Sequence, residues 1–248
     1  MCVIYVVESH EEILKLWQAQ NLRSLKILHL DFHCDLRGLL INRKTQLAYR
    51  IWDIKKGLDQ GNFLTHAVLE GRIKSLRWVH DIPGGRQYDV GTVMYESDLT
   101  VILYRWLFLK GKPGIPIDYQ VIKYSNWTDL YEGENLDIDW DFFACMDYPP
   151  ETIQDRVNVF LERKFPLIPK QVYICYSPDY SHPSRDEFQS FYESLARKFN
   201  AKLILIKPDL EISSSPPFYK RYLPSVLFRI IRQLYYGINL ELRKRGIY

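Results

Sequence analysis

A chain of 248 residues with 47% hydrophobic and 25% charged side chains can bury a large core, which excludes a disordered or low-complexity protein. A formal net charge of +3 lacks the dense basic footprint of a nucleic-acid binder, and no apolar run reaches the roughly 18 residues of a membrane span, so neither nucleic acid nor membrane is expected as a partner. Cys2, Cys34, Cys145 and Cys175 form no CxxC pair or disulfide-like spacing, and MCVIYVVESH lacks the basic region of a secretory signal, so a reducing cytoplasm is the expected location.

In chain order, the first apolar run is CVIYVV (2–7), followed by Ser9 as the N-cap of a helix over EEILKLWQAQ. LKILHLD (25–31) and IKSLRWV (73–79) read as the next strands, and segment 92–110 shows no decisive period. YQVIKYS (119–125), NLDIDWD (135–141), QVYICYS (171–177) and KLILI (202–206) complete the set. Helices are expected after Pro149 and Pro150, over ETIQDRVNVFLERKF, and after Pro183, over SRDEFQSFYESLARKF. Strand-like runs alternating with helical period predict an α/β fold: a single three-layer domain over 1–248, with a mostly parallel sheet flanked by helices. The last stretch, FYKRYLPSVLFRIIRQLYYGINLELRKRGIY, reads as a basic amphipathic helix. Docking on the sheet, with the basic stems laid over apolar surface, accounts for it without a functional role.

Open α/β sheets bind ligands beyond the carboxyl ends of their strands. Two such ends are acidic: DFHCD, with Asp31, His33 and Asp35, and DIDWD, with Asp137, Asp139 and Asp141. An unpaired buried carboxylate is too costly for an ordinary core, so the charge needs a partner. Along a flat strand, residues i and i+2 lie about 6.6 Å apart, so Asp31 and His33 are expected to flank two ions rather than chelate one. Two divalent ions about 3.5 to 4 Å apart, bridged by carboxylates, would absorb this charge density. Oxygen-rich donors with few imidazoles favour Mn²⁺ over structural Zn²⁺.

Each cluster has a plainer reading. DxHxD alone also fits a solvated loop or a helix cap. DIDWD is harder to dismiss, because the interleaved Ile138 and Trp140, with Phe142 and Phe143 after them, bury one face and leave the acids on the other. A calcium loop starting at Asp137 needs Gly and Glu where Phe142 and Tyr148 stand, and is rejected. His10 by itself is an ordinary first-turn helix residue; if the first two strands are neighbours, it falls beside Asp31.

Taken together, these residues resemble the arginase and deacetylase superfamily, in which a histidine after one strand, a DxHxD after the next and an SxDxD after a later one hold two manganese ions. The resemblance is strongest to the compact peptide arginases, which convert arginine to ornithine in ribosomally synthesised precursor peptides. The shared pieces are VVESH, LDFHCDL, GNFLTHAVLEGRIKSLRWV, DIDWDFF and YSPDY. The resemblance implies an arginase/deacetylase-like fold and two Mn²⁺ per chain held by His10, Asp31, His33, Asp35, Asp139 and Asp141. It also implies Asp35 as a catalytic proton acceptor, His66 as a proton shuttle, and Asn62 and Asp179 as substrate contacts; a helix-cap role is the competing reading of Asn62. Asp137 stands at the serine place. Free arginases carry GGDH where this chain has VESH, and an Asp-Pro where it has DFFACMDYPP, departures that speak against free arginine as substrate.

The implied reaction is hydrolysis of an arginine side chain to urea and ornithine, with an arginine-containing precursor peptide as partner. A guanidinium is protonated and resonance-stabilised, hence a poor electrophile. A dinuclear site answers this by lowering the pKa of bridging water from about 15.7 toward neutrality. Rival readings are hydrolysis of a small guanidino compound or deacetylation of an amine on the same scaffold, and a non-catalytic, metal-stabilised peptide-binding module. A dehalogenase-like phosphatase with Asp137 as nucleophile expects Thr or Val where Asp141 stands. Oligomeric state is left open.

Overall fold

A computed structural model describes residues 1–42, 45–50, 57–82, 93–94 and 113–206. In chain order come β1 (Val3–Val7), α1 (His10–Ala19), β2 (Leu25–Leu30), β3 (Leu39–Asn42), β4 (Leu47–Arg50), α2 (Phe63–Leu69), β5 (Ile73–His80), β6 (Val93–Met94) and β7 (Ile115–Pro116). Then follow β8 (Asp118–Lys123), β9 (Glu134–Asp139), α3 (Asp141–Ala144), α4 (Ile153–Glu162), β10 (Gln171–Cys175), α5 (Arg185–Phe199) and β11 (Lys202–Leu205). The basic C-terminal segment, loop residues 83–85 and most of 92–110 lie outside the described residues. Among those described, no helix is long and apolar enough to cross a membrane.

The strand-like runs of the sequence assemble into one seven-stranded sheet, ordered β11-β1-β10-β9-β2-β5-β8, with every neighbouring pair parallel. Helices cover both faces, giving the expected α/β architecture. A second sheet, ordered β6-β3-β4-β7, was not legible beforehand, because strands of two to four residues are too short to display a period.

Period-2 alternation sorts the strand residues between the two faces. Ile4, Val6, Leu28, Leu30, Leu136, Ile138, Val172 and Ile174 enter one core, packed by α3, α4 and α5 through residues such as Phe143, Phe160 and Phe191. Val7, Ile27, Tyr173 and Cys175 enter the other, against Ile13, Leu14 and Trp17 of α1 and Phe63, Leu64 and Ala67 of α2. By the same parity, His29 of β2 and Asp137 and Asp139 of β9 point to the α1 and α2 side.

The first two strands are not neighbours, contrary to the condition on which His10 was expected to meet Asp31: β10 and β9 stand between them. His10 reaches the cluster differently. It is the first residue of α1, the crossover that carries the chain over those two strands, so it sits above their carboxyl ends. The strand order also reverses between β2 and β9, since β5 and β8 extend one way and β10 and β11 the other. That reversal is where an open parallel sheet leaves its crevice.

Candidate metal centre

Each side chain of the centre is placed by an element end. At β1, the Glu12 carboxylate accepts hydrogen bonds from the backbone N–H of Glu8 (3.0 Å) and Ser9 (3.2 Å), so α1 starts with His10 at its mouth. β2 stops at Leu30, and the chain leaves strand geometry at Asp31, whose Oδ1 accepts from the His33 N–H at 2.6 Å. Asp35 follows in a left-handed conformation, φ 51°. β9 delivers Asp139, and Asp141 opens α3 with its N–H 3.2 Å from Asp139 Oδ1. Ser177, just beyond β10 and also left-handed at φ 47°, donates its hydroxyl to Asp139 Oδ2 at 2.7 Å. Left-handed backbone costs a non-glycine residue about 1 to 2 kcal/mol, and here it falls on two residues that build the centre.

Four groups of ligand atoms converge among the described residues: His10 with Asp31 and Asp35, Asp31 with His33 and Asp141, His10 with Asp139 and Cys175, and His10 with His29 and Asp137; the first two share Asp31. In the first, His10 Nδ1 lies 3.1 Å from Asp35 Oδ2, 3.2 Å from Asp139 Oδ2 and 3.9 Å from Asp31 Oδ2. In the second, His33 Nδ1 lies 2.7 Å from Asp141 Oδ2 and 3.7 Å from Asp31 Oδ1. Asp31 and His33 therefore do converge in one group, contrary to the strand-geometry expectation, because the chain has already turned out of the extended conformation between them.

Burial and charge are in conflict here. Asp31, Asp35, Asp137, Asp139 and Asp141 are all buried, as are His10 and His29. His10 Nε2, His29 Nε2, Asp31 Oδ2, Asp35 Oδ2 and Asp137 Oδ1 are buried without a hydrogen-bond partner among the described residues. Burial alone would lower the His10 pKa, but the carboxylates of Asp139, Asp35 and Asp137 override it and push the group up to about 10. His33 is raised to about 9, burial again opposing and Asp141 prevailing. Burial, then Asp141, raises Asp139 to about 8, and burial with Asp141, Asp35 and Asp139 lifts Asp31 well above the carboxylate range. Asp141 moves the other way: burial opposes, but His33 and the Phe32 N–H hold it down. Protons thus collect on a site whose carboxylates need a cation, and unpartnered oxygen and nitrogen donors of this mixture fit a hard divalent ion.

All six residues expected as metal ligands, His10, Asp31, His33, Asp35, Asp139 and Asp141, belong to these two groups or to the contacts just given. The remaining candidates belong to none of these groups. Asn62, buried, accepts from the Asp59 N–H at 2.9 Å and donates to the Gly57 carbonyl at 3.0 Å, which occupies its amide in the turn before α2. His66 sits one turn into α2, half-buried, with Nε2 unpartnered. Asp179 is exposed in the turn after Ser177. Residues the sequence reading passed over are His29, Ser177 and Phe63, whose ring stacks on His10 at 4.7 Å. His29 alone had a signal, since it precedes Asp31 by two places and so shares its strand face. The described centre opens at His33, 30% exposed against at most 5% for its partners, with the Tyr180 ring 5.2 Å away.

No family model matches the chain, and no curated protein matches it.

Proposed function

We propose that the chain is a manganese-dependent hydrolase that cleaves the guanidino group of an arginine side chain within a peptide, giving ornithine and urea. One observation carries this reading: four carboxylates and two imidazoles from three separate segments converge in overlapping groups, two of which share Asp31, and they are too deeply buried to hold that charge alone. The arrangement supports a pair of ions, with His10, Asp31, Asp35 and Asp139 holding one and Asp31, His33 and Asp141 the other. When bound, such a pair acidifies water enough to supply a nucleophile at neutral pH.

The chain's own residues have the remaining work. Asp35, whose Oδ2 faces His10 at 3.1 Å, accepts on its spare oxygen the proton released as water adds to the guanidinium carbon and returns it to the departing amine. The carboxylates draw a cationic side chain toward the opening at His33. The departures from the free-arginase motifs favour a peptide over free arginine as substrate. Four free, buried cysteines agree with a reducing cytoplasmic location.

The test is urea release in the presence of manganese, measured with free arginine and with arginine-containing peptides. Peptide should be the better substrate, and Asp139→Ala should lose both metal binding and urea release. Full activity in that variant overturns the proposal. Acetate from an acetylated amine would favour deacetylation on the same centre, and two bound metals without turnover would favour a peptide-binding module.

A further inference from the structure

One of the converging groups, His10 with His29 and Asp137, contains a buried ionisable pair that the reaction above does not use. His29 of β2 and Asp137 of β9 are cross-strand partners in the register of the central sheet, and both are fully buried. His29 Nδ1 is 2.9 Å from Asp137 Oδ2. An apolar pair would fill this position at lower cost, since desolvating two ionisable groups is repaid only by excellent local partners. The partners lie toward the metal groups. His29 Nε2 stands 3.1 Å from Asp31 Oδ2, and Asp137 Oδ1, otherwise unpartnered, stands 3.9 Å from His10 Nε2. Phe63 packs against both imidazoles, at 4.7 Å from the His10 ring and 6.2 Å from the His29 ring.

We propose that Asp137 and His29 are positioning residues for the metal centre: Asp137, bonded to His29, acts through that ring on Asp31, and its second oxygen faces the His10 ring as an electrostatic contact. The inference rests on the metal reading above. His10 turns Nδ1 toward Asp35 and Asp139, so a ligating His10 carries its proton on Nε2, the nitrogen that faces Asp137. A histidine ligand ordinarily donates its second ring N–H to a carboxylate, which fixes the tautomer and the plane of the ring. Here Asp137 bonds His29, and its free oxygen faces His10 Nε2 at 3.9 Å, longer than a hydrogen bond. The His29 ring spans the gap between Asp137 and Asp31 and sets where Asp31, the residue common to both ligand groups, can present its oxygens.

The experiment is titration of the metal-free chain with Mn²⁺ alone, followed by electron paramagnetic resonance, for wild type, Asp137→Asn, His29→Asn and the double variant. Each single variant should bind manganese about 10- to 100-fold more weakly and lose the exchange-coupled signal of a metal pair. The double variant should lose less than the product of the two single losses, because both residues act through one carboxylate. Its two amides can bond across the same strands, so it stays testable where a single variant fails to fold. Unchanged manganese affinity and coupling, with only a lower unfolding midpoint, would make the pair structural and overturn the inference alone. A wild-type chain that takes up no manganese overturns the metal reading together with the inference.

Discussion

At His10 and Asp139 the conflict between burial and charge sets a pH dependence. The folded His10 pKa rises from 6.5 to about 10, so its contribution is fully present below 6.5 and is lost as pH climbs through about 10. The folded Asp139 pKa rises from 3.8 to about 8, and its contribution disappears in the same direction, between 3.8 and about 8. The metal-free chain should therefore show a lower urea midpoint at pH 9.5 than at pH 6. Manganese binding should follow the opposite course, tightening as pH rises, because the ion displaces those protons. Calorimetry in buffers of different ionisation enthalpy should register proton release on binding; a pH-independent affinity would contradict the assignment.

At the scale of elements, β9, which carries one half of the centre, is tied at its amino end to β5 across β2. Arg77 of β5 reaches past β2 to Glu134 at the start of β9, donating from Nε to Oε1 at 2.6 Å, with a second guanidinium contact to Oε2 and a third to the Asp129 carbonyl at 2.8 Å. Glu134 Oε2 also accepts from the Tyr131 N–H at 2.6 Å, and both charged side chains are buried. Removing one partner of such a pair strands the other charge, at about 3 to 5 kcal/mol. Arg77→Ala should lose stability by that amount in urea unfolding. The manganese affinity of the folded fraction should stay near wild type, since the clamp holds the amino end of β9 and the ligands stand at its carboxyl end. A selective loss of metal binding would show that β9 shifts along its axis without the clamp.

For the whole molecule, the centre joins segments far apart in sequence: His10 from the first crossover, the Asp31 loop and the β9 end. An ion that binds only when these meet stabilises the fold by mass action, by about 2.7 kcal/mol at a free concentration 100 times the dissociation constant. Adding manganese to chelator-treated protein should raise the thermal midpoint in a concentration-dependent way, and Asp139→Ala should abolish the increase. Magnesium should do so less well, because it sheds its water reluctantly and has little use for imidazole.

The linear order of residues carried the strand runs, the helices after Ser9, Pro150 and Pro183, and the ligand types, because periodicity and acid content are local properties. It carried the faces too: Ile138 and Trp140 enter one core, and parity alone puts Asp137 and Asp139 on the other side. Only the fold decided that β10 and β9 separate the first two strands, that α1 brings His10 over them, and that His29 pairs with Asp137 across the sheet. Strand order and register come from how two cores close around seven strands at once, and no single segment encodes that closure. The turn at Asp31 also depends on distant groups: the Trp78 indole N–H bonds the Asp31 carbonyl at 3.1 Å, and Asp141 accepts from the next N–H along, that of Phe32.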